Sequence, residues 1–204
     1  MRVLGLCRVE ESGALPHLRA GPLALLTADG PAQARLGLCL SAHRALPAFL
    51  PFAVRSAPEP GVARSWAAAR SSLLLEVLER LRGQSEMILT LSQPERQTAA
   101  PVNGRAYLRA RLERIEAQHR LGTQLAALAP RALGLRGDRG AARAESALLL
   151  PDGEMRVQAR SLAAACPSEL RLSLSGPWPA FLHGARLCKA ADRTGDAASA
   201  KESA

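Results

Sequence analysis

The chain has 204 residues, of which 48% are hydrophobic, 22% charged and 3% aromatic. This composition is typical of globular proteins and differs from disordered, collagenous and membrane chains. Apolar runs such as 23–28 are too short to cross a bilayer, and Arg8 and Glu10 interrupt the first apolar run before it reaches the roughly 7 to 15 residues of a signal-peptide core. We therefore expect a cytoplasmic protein of one or two domains without a membrane span.

The formal net charge of +9 suggests a nucleic-acid or anionic-surface binder, because clustered cations that neutralise phosphates release counterions. The distribution of the charges argues against this function. Lysine occurs only at positions 189 and 201, and the arginines are scattered through every segment. The chain also has only two tryptophans, one tyrosine and three phenylalanines with which to stack on bases. Binding to nucleic acid or to an anionic surface is kept as the alternative function.

The residue types that hold metals or perform catalysis are few and far apart. The cysteines have no CxxC spacing, which argues against a zinc site or a disulfide framework and favours buried thiols in a reducing cytoplasm. A catalytic or metal cluster of histidines would have to be assembled by the fold. The residues concerned are Cys7, Cys39, Cys166, Cys188, His17, His43, His119 and His183. Since phosphate-loop, zinc-protease and serine-hydrolase motifs are missing as well, we predict no enzyme activity, metal or cofactor, and an enzyme with an unrecognised site stays a third hypothesis.

The first 93 residues alternate between strand and helix patterns. The predicted elements are strands over 2–9, 23–28, 52–54 and 86–92 and helices over 32–46 and 62–82. In the last of these strands Met87, Leu89 and Leu91 alternate with the intervening positions, which is the period-two pattern of a half-buried strand. The order of elements predicts an N-terminal ferredoxin-like α/β domain over residues 1–93.

Residues 94–103 have the composition of a linker, and residues 104–129 follow as one long helix. Apolar and small residues recur along this helix at spacings of four and three, as in a coiled coil. This seam consists of Leu108, Leu112, Ile115, His119, Gly122, Ala126 and Ala129. It packs either against its own domain or against a partner helix, and the sequence leaves both open. The arginines of the helix alternate with Glu113 and Glu116, which favours a solvated flank over an anion site.

The remaining sequence predicts a C-terminal α+β domain over residues 104–188. A Gly- and Arg-rich loop is expected at 133–143, and a disordered tail at 189–204. Leu170, Leu172 and Leu174 face inward from the last regular strand. Strands over 145–150 and 169–175 flank a helix over 154–166, and the chain continues from 180 to 187 after a proline-rich bend whose prolines belong at a sheet edge or bulge.

Three stretches of sequence carry motifs in a fixed order. In the first stretch, LLLEVLERLRGQSEMILTLS, a leucine-rich helix ends at a glycine and a glutamate then leads into a strand. The second stretch, GRAYLRARLERIEAQ, is the start of a helix. In the third, LRLSLSGPWPAFLHGARL, the motif Gly-Pro-Trp-Pro at 176–179 follows a leucine-rich strand. Together they resemble the gas vesicle proteins of the GvpL/GvpF type over roughly residues 1–188. The chain departs from that family at PFAVRSAPEPG, at 179–182 and in a shortened stretch at 29–36.

The resemblance implies an N-terminal ferredoxin-like domain, a C-terminal α+β domain with a long helix, and a minor, non-enzymatic component of gas vesicle assembly. It implies contacts with the small hydrophobic shell protein and with other accessory gas vesicle proteins. A soluble partner that covers the apolar surface of the shell protein would limit its aggregation during nucleation. The predicted partner-binding residues are Leu108, Leu112, Ile115, Trp178 and Phe181. An edge strand that accepts a strand from the partner is the alternative.

Overall fold

The computed structural model describes residues 1–93, 103–135 and 143–190. The strands are β1 (Arg2–Arg8), β2 (His17–Ala20), β3 (Leu23–Ala28), β4 (Leu50–Pro51), β5 (Gln84–Ser92), β6 (Leu133–Leu135), β7 (Arg143–Pro151) and β8 (Arg171–Trp178). The helices are α1 (Ala32–Ala45), α2 (Pro60–Ala69), α3 (Ser71–Leu81), α4 (Gly104–Leu128), α5 (Met155–Ala165) and α6 (181–190). The chain divides into two compact units, of which the first holds Met1–Glu86 and the chain from Trp178 onward and the second holds Met87–Pro177.

The first unit is built on a sheet with the strand order β2-β3-β1-β4. Its described pairings are antiparallel, with Leu6 opposite Leu25 and Cys7 opposite Ala24. β4 approaches β1 closely at Gly5, because a Cβ atom there would collide with the Leu50 carbonyl oxygen and with the ring of Phe49. A glycine is therefore required for β4 to join the sheet.

Helices cover both faces of this first sheet. On one face Cys7 and Ala24 pack with Cys39 and Ala42 of α1 in one buried cluster. Successive residues of a strand face opposite sides, so Leu6 lies on the other face, where it is fully buried. Helix α2 contacts β1, β2 and β3, and α3 contacts β1 and β4. Apolar burial on both faces explains why these strands are almost continuously hydrophobic.

The second unit places α4 and α5 on one face of a sheet with the strand order β6-β7-β5-β8. The predicted inward residues of β5 and β8 pack in its core together with side chains from both helices. The core comprises Met87, Leu89, Leu91, Leu121, Leu125, Ala129, Ala144, Leu148, Met155 and Leu162, with Leu170, Leu172 and Leu174 half-buried against it. A mixed α/β fold with a long helix in its C-terminal part is thus confirmed.

Several details differ from the sequence predictions. The first-unit order β1, β2, β3, α1, β4 does not confirm a ferredoxin-like description, which requires a helix after the first strand. The predicted helix over 62–82 is two helices, because the backbone of Arg70 leaves helical geometry at φ −127° and ψ 23°. Both short helices contact β1, and beyond it α2 contacts β2 and β3 whereas α3 contacts β4.

Three further segments also differ from their prediction. The edge strand predicted over 52–54 is β4, which lies at the sheet edge but two residues earlier. Part of the predicted loop at 133–143 is β6, which pairs with β7 through Leu133 and Ala147; residues 136–142 lie outside the described residues. The segment 180–187, for which the sequence predicted only that the chain continues after the proline-rich bend, is helical from 181.

The division into units also differs from the predicted domain boundaries. The contacts separate the units between Glu86 and Met87, because β5 belongs to the second sheet, and the chain returns to the first unit at Trp178. The predicted domains over 1–93 and 104–188 therefore stay a proposal. The predicted linker, apart from Asn103, and the predicted tail, apart from two helical residues at 189 and 190, lie outside the described residues.

Candidate partner-binding face of the long helix

Helix α4 begins at a side-chain cap. Asn103 has extended backbone angles, and its Oδ1 accepts a hydrogen bond from the Ala106 N–H at 2.9 Å. Such a cap satisfies one of the N–H groups that have no partner inside the first turn. The Gly104-Arg-Ala-Tyr-Leu motif of the sequence therefore lies at the start of the helix, as predicted. The helix continues without a break to Leu128.

The C-terminal half of α4 holds the helix on the second sheet. Its buried residues are Ala117, Leu121 and Leu125, and the two leucines are at most 2% exposed. They recur at intervals of four, which places them on one side of the helix. The predicted seam does not include them, and of its seven residues only Ala129, which follows the helix, belongs to the buried core.

The N-terminal half of α4 has no buried residue between 104 and 116. Leu108, Leu112 and Ile115 are 58%, 61% and 54% exposed, and their spacing of four and three aligns them along one side. With 3.6 residues per turn, this side lies about 120° to 180° around the helix from Leu121. We call these three residues the outer face of α4. Its direction explains why the second unit cannot bury it.

Arginines surround the outer face. Arg105 lies three residues before Leu108 and Arg111 three residues after it, which at 100° per residue places them on opposite flanks of the face. Glu116 lies four residues after Leu112 and is its acidic neighbour. Arg114 points further away from the face, about 100° from Ile115 and 120° to 160° from the two leucines. The face therefore combines apolar side chains with a net positive border, and large exposed apolar residues grouped in this way mark interaction surfaces.

The seam continues from the outer face into a cavity of the second unit. The cavity has a volume of about 150 Å³ and lies between α4 and the β6–β7 pair. Gly122 and Ala126 of the seam line it, together with Ser146 of β7. The Ser146 hydroxyl is buried and has no hydrogen-bond partner among the described residues. We call this space the Ser146 cavity.

The other two predicted partner-binding residues belong to the first unit. Phe181 is half-buried and packs against the cluster that contains Cys39 and Ala42, so part of its ring serves the core. Trp178 is half-buried at the end of β8. A role for either residue in partner binding remains a prediction, whereas Leu108, Leu112 and Ile115 are fully available at the surface of α4.

The sequence left open whether the fold brings its histidines, cysteines and acidic residues together. In the described part of the chain, no group of three or more His, Cys, Asp or Glu side chains is arranged to hold a metal ion. Ser85 Oγ and His43 Nε2 are 2.8 Å apart, but Ser85 is a 1% exposed residue of β5 that a substrate cannot approach. We interpret this pair as a structural hydrogen bond.

Burial also raises the pKa of two cysteine thiols. Burial raises the pKa of the Cys7 thiol to about 12, with a smaller contribution from Glu11 and Glu10. Burial raises the pKa of Cys39 to about 11, although Arg35 opposes the shift. Neither residue forms a thiolate near neutral pH, as predicted for buried cysteines, while Cys166 and Cys188 are half-buried.

A buried acid was missed by the sequence prediction. Glu86, 1% exposed, was expected to face outward from β5, but its Oε1 accepts hydrogen bonds from the N–H groups of Leu182 and His183 at 2.8 and 2.6 Å. These donors belong to the first turn of α6, so the carboxylate caps that helix. No local pattern signals such a contact between positions almost a hundred residues apart.

Two solved structures resemble this fold. The crystal structure of the gas vesicle protein GvpF from Anabaena sp. PCC7120 matches with a TM-score of 0.56 and 10% sequence identity, over 90% of this chain and 97% of that one. The crystal structure of GvpF from Microcystis aeruginosa gives the same TM-score and identity, over 90% of this chain and 98% of that one. The chain has a GvpF-like fold.

This likeness confirms, at the level of the fold, the resemblance inferred from the three sequence motifs. No family model and no curated protein sequence matches the chain. With 10% identity to the solved structures, the shared fold is carried by the pattern of burial and not by the identity of most residues. No helix in the described ranges has both the length and the apolar character needed to span a membrane.

Proposed function

We propose that this protein is an accessory component of gas vesicle assembly that acts in the cytoplasm and at the gas vesicle. It binds the small hydrophobic shell protein and limits its aggregation during nucleation, alone or with other accessory gas vesicle proteins. The GvpF-like fold over 90% of the chain supports the gas vesicle association. The role is one of binding, without an enzymatic step.

The outer face of α4 is the observation that carries this proposal. Three large apolar side chains, each more than half exposed, lie on the side of the helix that its own unit leaves open. A shell subunit that exposes apolar surface before incorporation requires a soluble partner with a complementary apolar surface. Leu121 and Leu125 anchor the other half of α4 on its sheet and so set the direction in which the outer face points.

The proposal is tested by co-expression of the small shell protein with and without this chain. We expect the shell protein to stay in the soluble fraction and to co-purify with the chain only when both are present. As a control for a general effect of a basic protein, the same experiment is run with the Leu112→Asp, Ile115→Asp double variant, which keeps the net charge strongly positive. A shell protein that aggregates equally in all three cultures would contradict the proposal.

A further inference from the structure

We propose that the segment which covers the outer face of α4 is an amphipathic helix with carboxylates beside its apolar side chains, and that one aromatic side chain of this helix enters the Ser146 cavity. The choice of face rests on the proposed function. The chemistry of the occupant rests on separate observations, which are the spacing of the face, the charges around it and the cavity at its end.

The shape of the face fits a helix. Leu108, Leu112 and Ile115 form a straight ridge about 10 Å long, at 1.5 Å per residue. A ridge of side chains at intervals of four and three packs into the groove of a second helix that carries apolar residues at matching intervals. A second copy of α4 fits poorly, because its five arginines against two glutamates would face an identical excess of positive charge.

The charges around the face specify the border of the partner. Arg105 and Arg111 flank the ridge on opposite sides, so an occupant gains on both flanks only if it carries acidic side chains there. Glu116 is the one acidic residue beside the ridge, and it lies on the flank that Arg105 shares. The complementary partner therefore has an apolar stripe with carboxylates on either side.

The Ser146 cavity specifies a further anchor. Gly122 lies seven residues after Ile115, which places it on the same side of α4 about 10 Å further along the axis. A Cβ atom at Gly122 would contact nothing, and Ala126 is similarly small, so a partner can approach the α4 backbone closely here. A space of about 150 Å³, lined mainly by small and apolar residues beside Gln118, Glu145 and Ser146, has room for a benzene-sized group. The unpaired Ser146 hydroxyl favours a ring with a polar tip, such as tyrosine.

The test uses the full chain and designed helical peptides as probes. The acidic peptide carries leucines at positions i, i+4 and i+7, a tyrosine at i+14 and glutamates on both flanks, and a second acidic peptide carries the same pattern in reverse chain direction. Controls replace every flanking glutamate by lysine, or the tyrosine by alanine. Fluorescence anisotropy measures the dissociation constants at low and raised salt.

We expect an acidic peptide to bind at least about tenfold more tightly than its lysine counterpart, with a difference that shrinks as salt rises. The Arg111→Glu variant should weaken binding by about threefold or more, whereas the matched single reversal Arg114→Glu, further from the ridge, should change it by less than about twofold. Gly122→Leu should remove the advantage of tyrosine over alanine, because the leucine side chain occupies the cavity. Circular dichroism verifies that every variant is folded.

Equal binding of acidic and lysine peptides, or equal effects of the two charge-reversal variants, would overturn the acidic partner. A tyrosine advantage that survives Gly122→Leu would overturn the cavity anchor. If no acidic peptide binds while the shell protein still co-purifies, this inference fails and the proposed function stands. If the peptides behave as expected but the shell protein does not co-purify, the proposed function fails and the face serves another acidic helix.

Discussion

Glu86 Oε1 accepts a hydrogen bond from the main-chain N–H of His183 at 2.6 Å, and the ring Nδ1 of the same histidine lies 3.0 Å from the same oxygen. Both residues belong to the first unit, and the contact attaches the start of α6 to the chain just before β5 leaves that unit. One buried carboxylate thus holds the returning helix.

We predict that Glu86→Ala lowers the free energy of unfolding of the first unit by about 2–3 kcal/mol, because two helix N–H groups and an imidazole lose a buried acceptor. Glu86→Gln should cost less, since its amide oxygen still accepts. Urea unfolding measures both losses, and hydrogen exchange over 178–190 locates them. An alanine variant as stable as the parent, with unchanged exchange, would show that the cap does not hold α6.

Asn103 is expected to control the order of the exposed half of α4. That half has no buried side chain, so the cap and intrinsic helix propensity hold it. Asn103→Ala should cost about 1 kcal/mol of local helix stability and Asn103→Asp almost none, since aspartate also caps. Hydrogen exchange of the first two turns distinguishes these cases. Equal exchange in the two variants would mean that Asn103 Oδ1 contributes nothing.

Truncation of a side chain should lower the free energy of unfolding much more on the buried side of α4 than on its outer face. Leu121→Ala removes a fully buried side chain and is expected to lower the free energy of unfolding of the second unit by about 2–5 kcal/mol. Leu112→Ala, at 61% exposure, should change it by no more than about 0.5 kcal/mol. Urea unfolding curves of the two variants provide the comparison. A large loss of stability for Leu112→Ala would mean that the outer face is covered within the chain.

We predict that the stability of the folded chain depends on pH in the alkaline range because of Cys7 and Cys39. Their ordinary pKa of 9.0 applies in the unfolded chain, whereas burial raises it to about 12 for Cys7 and about 11 for Cys39 in the folded chain. The folded state therefore retains protons that the unfolded state loses, and the resulting stability is complete below pH 9.0 and falls as pH rises through these values.

Thiol labelling checks the burial of Cys7 and Cys39, on which this pH dependence rests. In the native protein at pH 8, iodoacetamide should modify the half-buried Cys166 and Cys188 before Cys7 and Cys39, which should react only after unfolding. Mass spectrometry of peptides identifies each site. Rapid native labelling of Cys7 or Cys39 would contradict their burial.

Regular elements with clear periodicity could be predicted from the sequence. Met87, Leu89 and Leu91 alternate along β5 and are buried as expected, and Leu170, Leu172 and Leu174 pack inward from β8. The bounds of α4 were also predictable to within a residue or so, because Pro130 ends the apolar pattern. Local spacing sufficed wherever one face of an element is buried on its own sheet.

Features that depend on distant contacts could not be predicted in this way. Strands β2 and β6 are too short to show a clear sequence pattern, and they are strands because they pair with β3 and β7. The burial of Glu86 depends on the approach of α6, and no local pattern of the sequence marks the break at Arg70. On α4 the spacing of the seam correctly identified apolar residues that share one side of the helix. Only the structure shows that two leucines outside the seam, Leu121 and Leu125, pack the helix on its sheet.

Co-purification of the shell protein with α4 variants tests the central claim most directly. The parent chain, Arg114→Glu as the control further from the outer face, and the Leu112→Asp, Ile115→Asp variant are each co-expressed with the small shell protein, after circular dichroism has verified their folding. We predict that the shell protein co-purifies with the parent and the control and that at least about nine-tenths is lost with the double variant, because two charges enter the apolar contact. Undiminished co-purification with the folded double variant would contradict the claim that the outer face of α4 binds the shell protein.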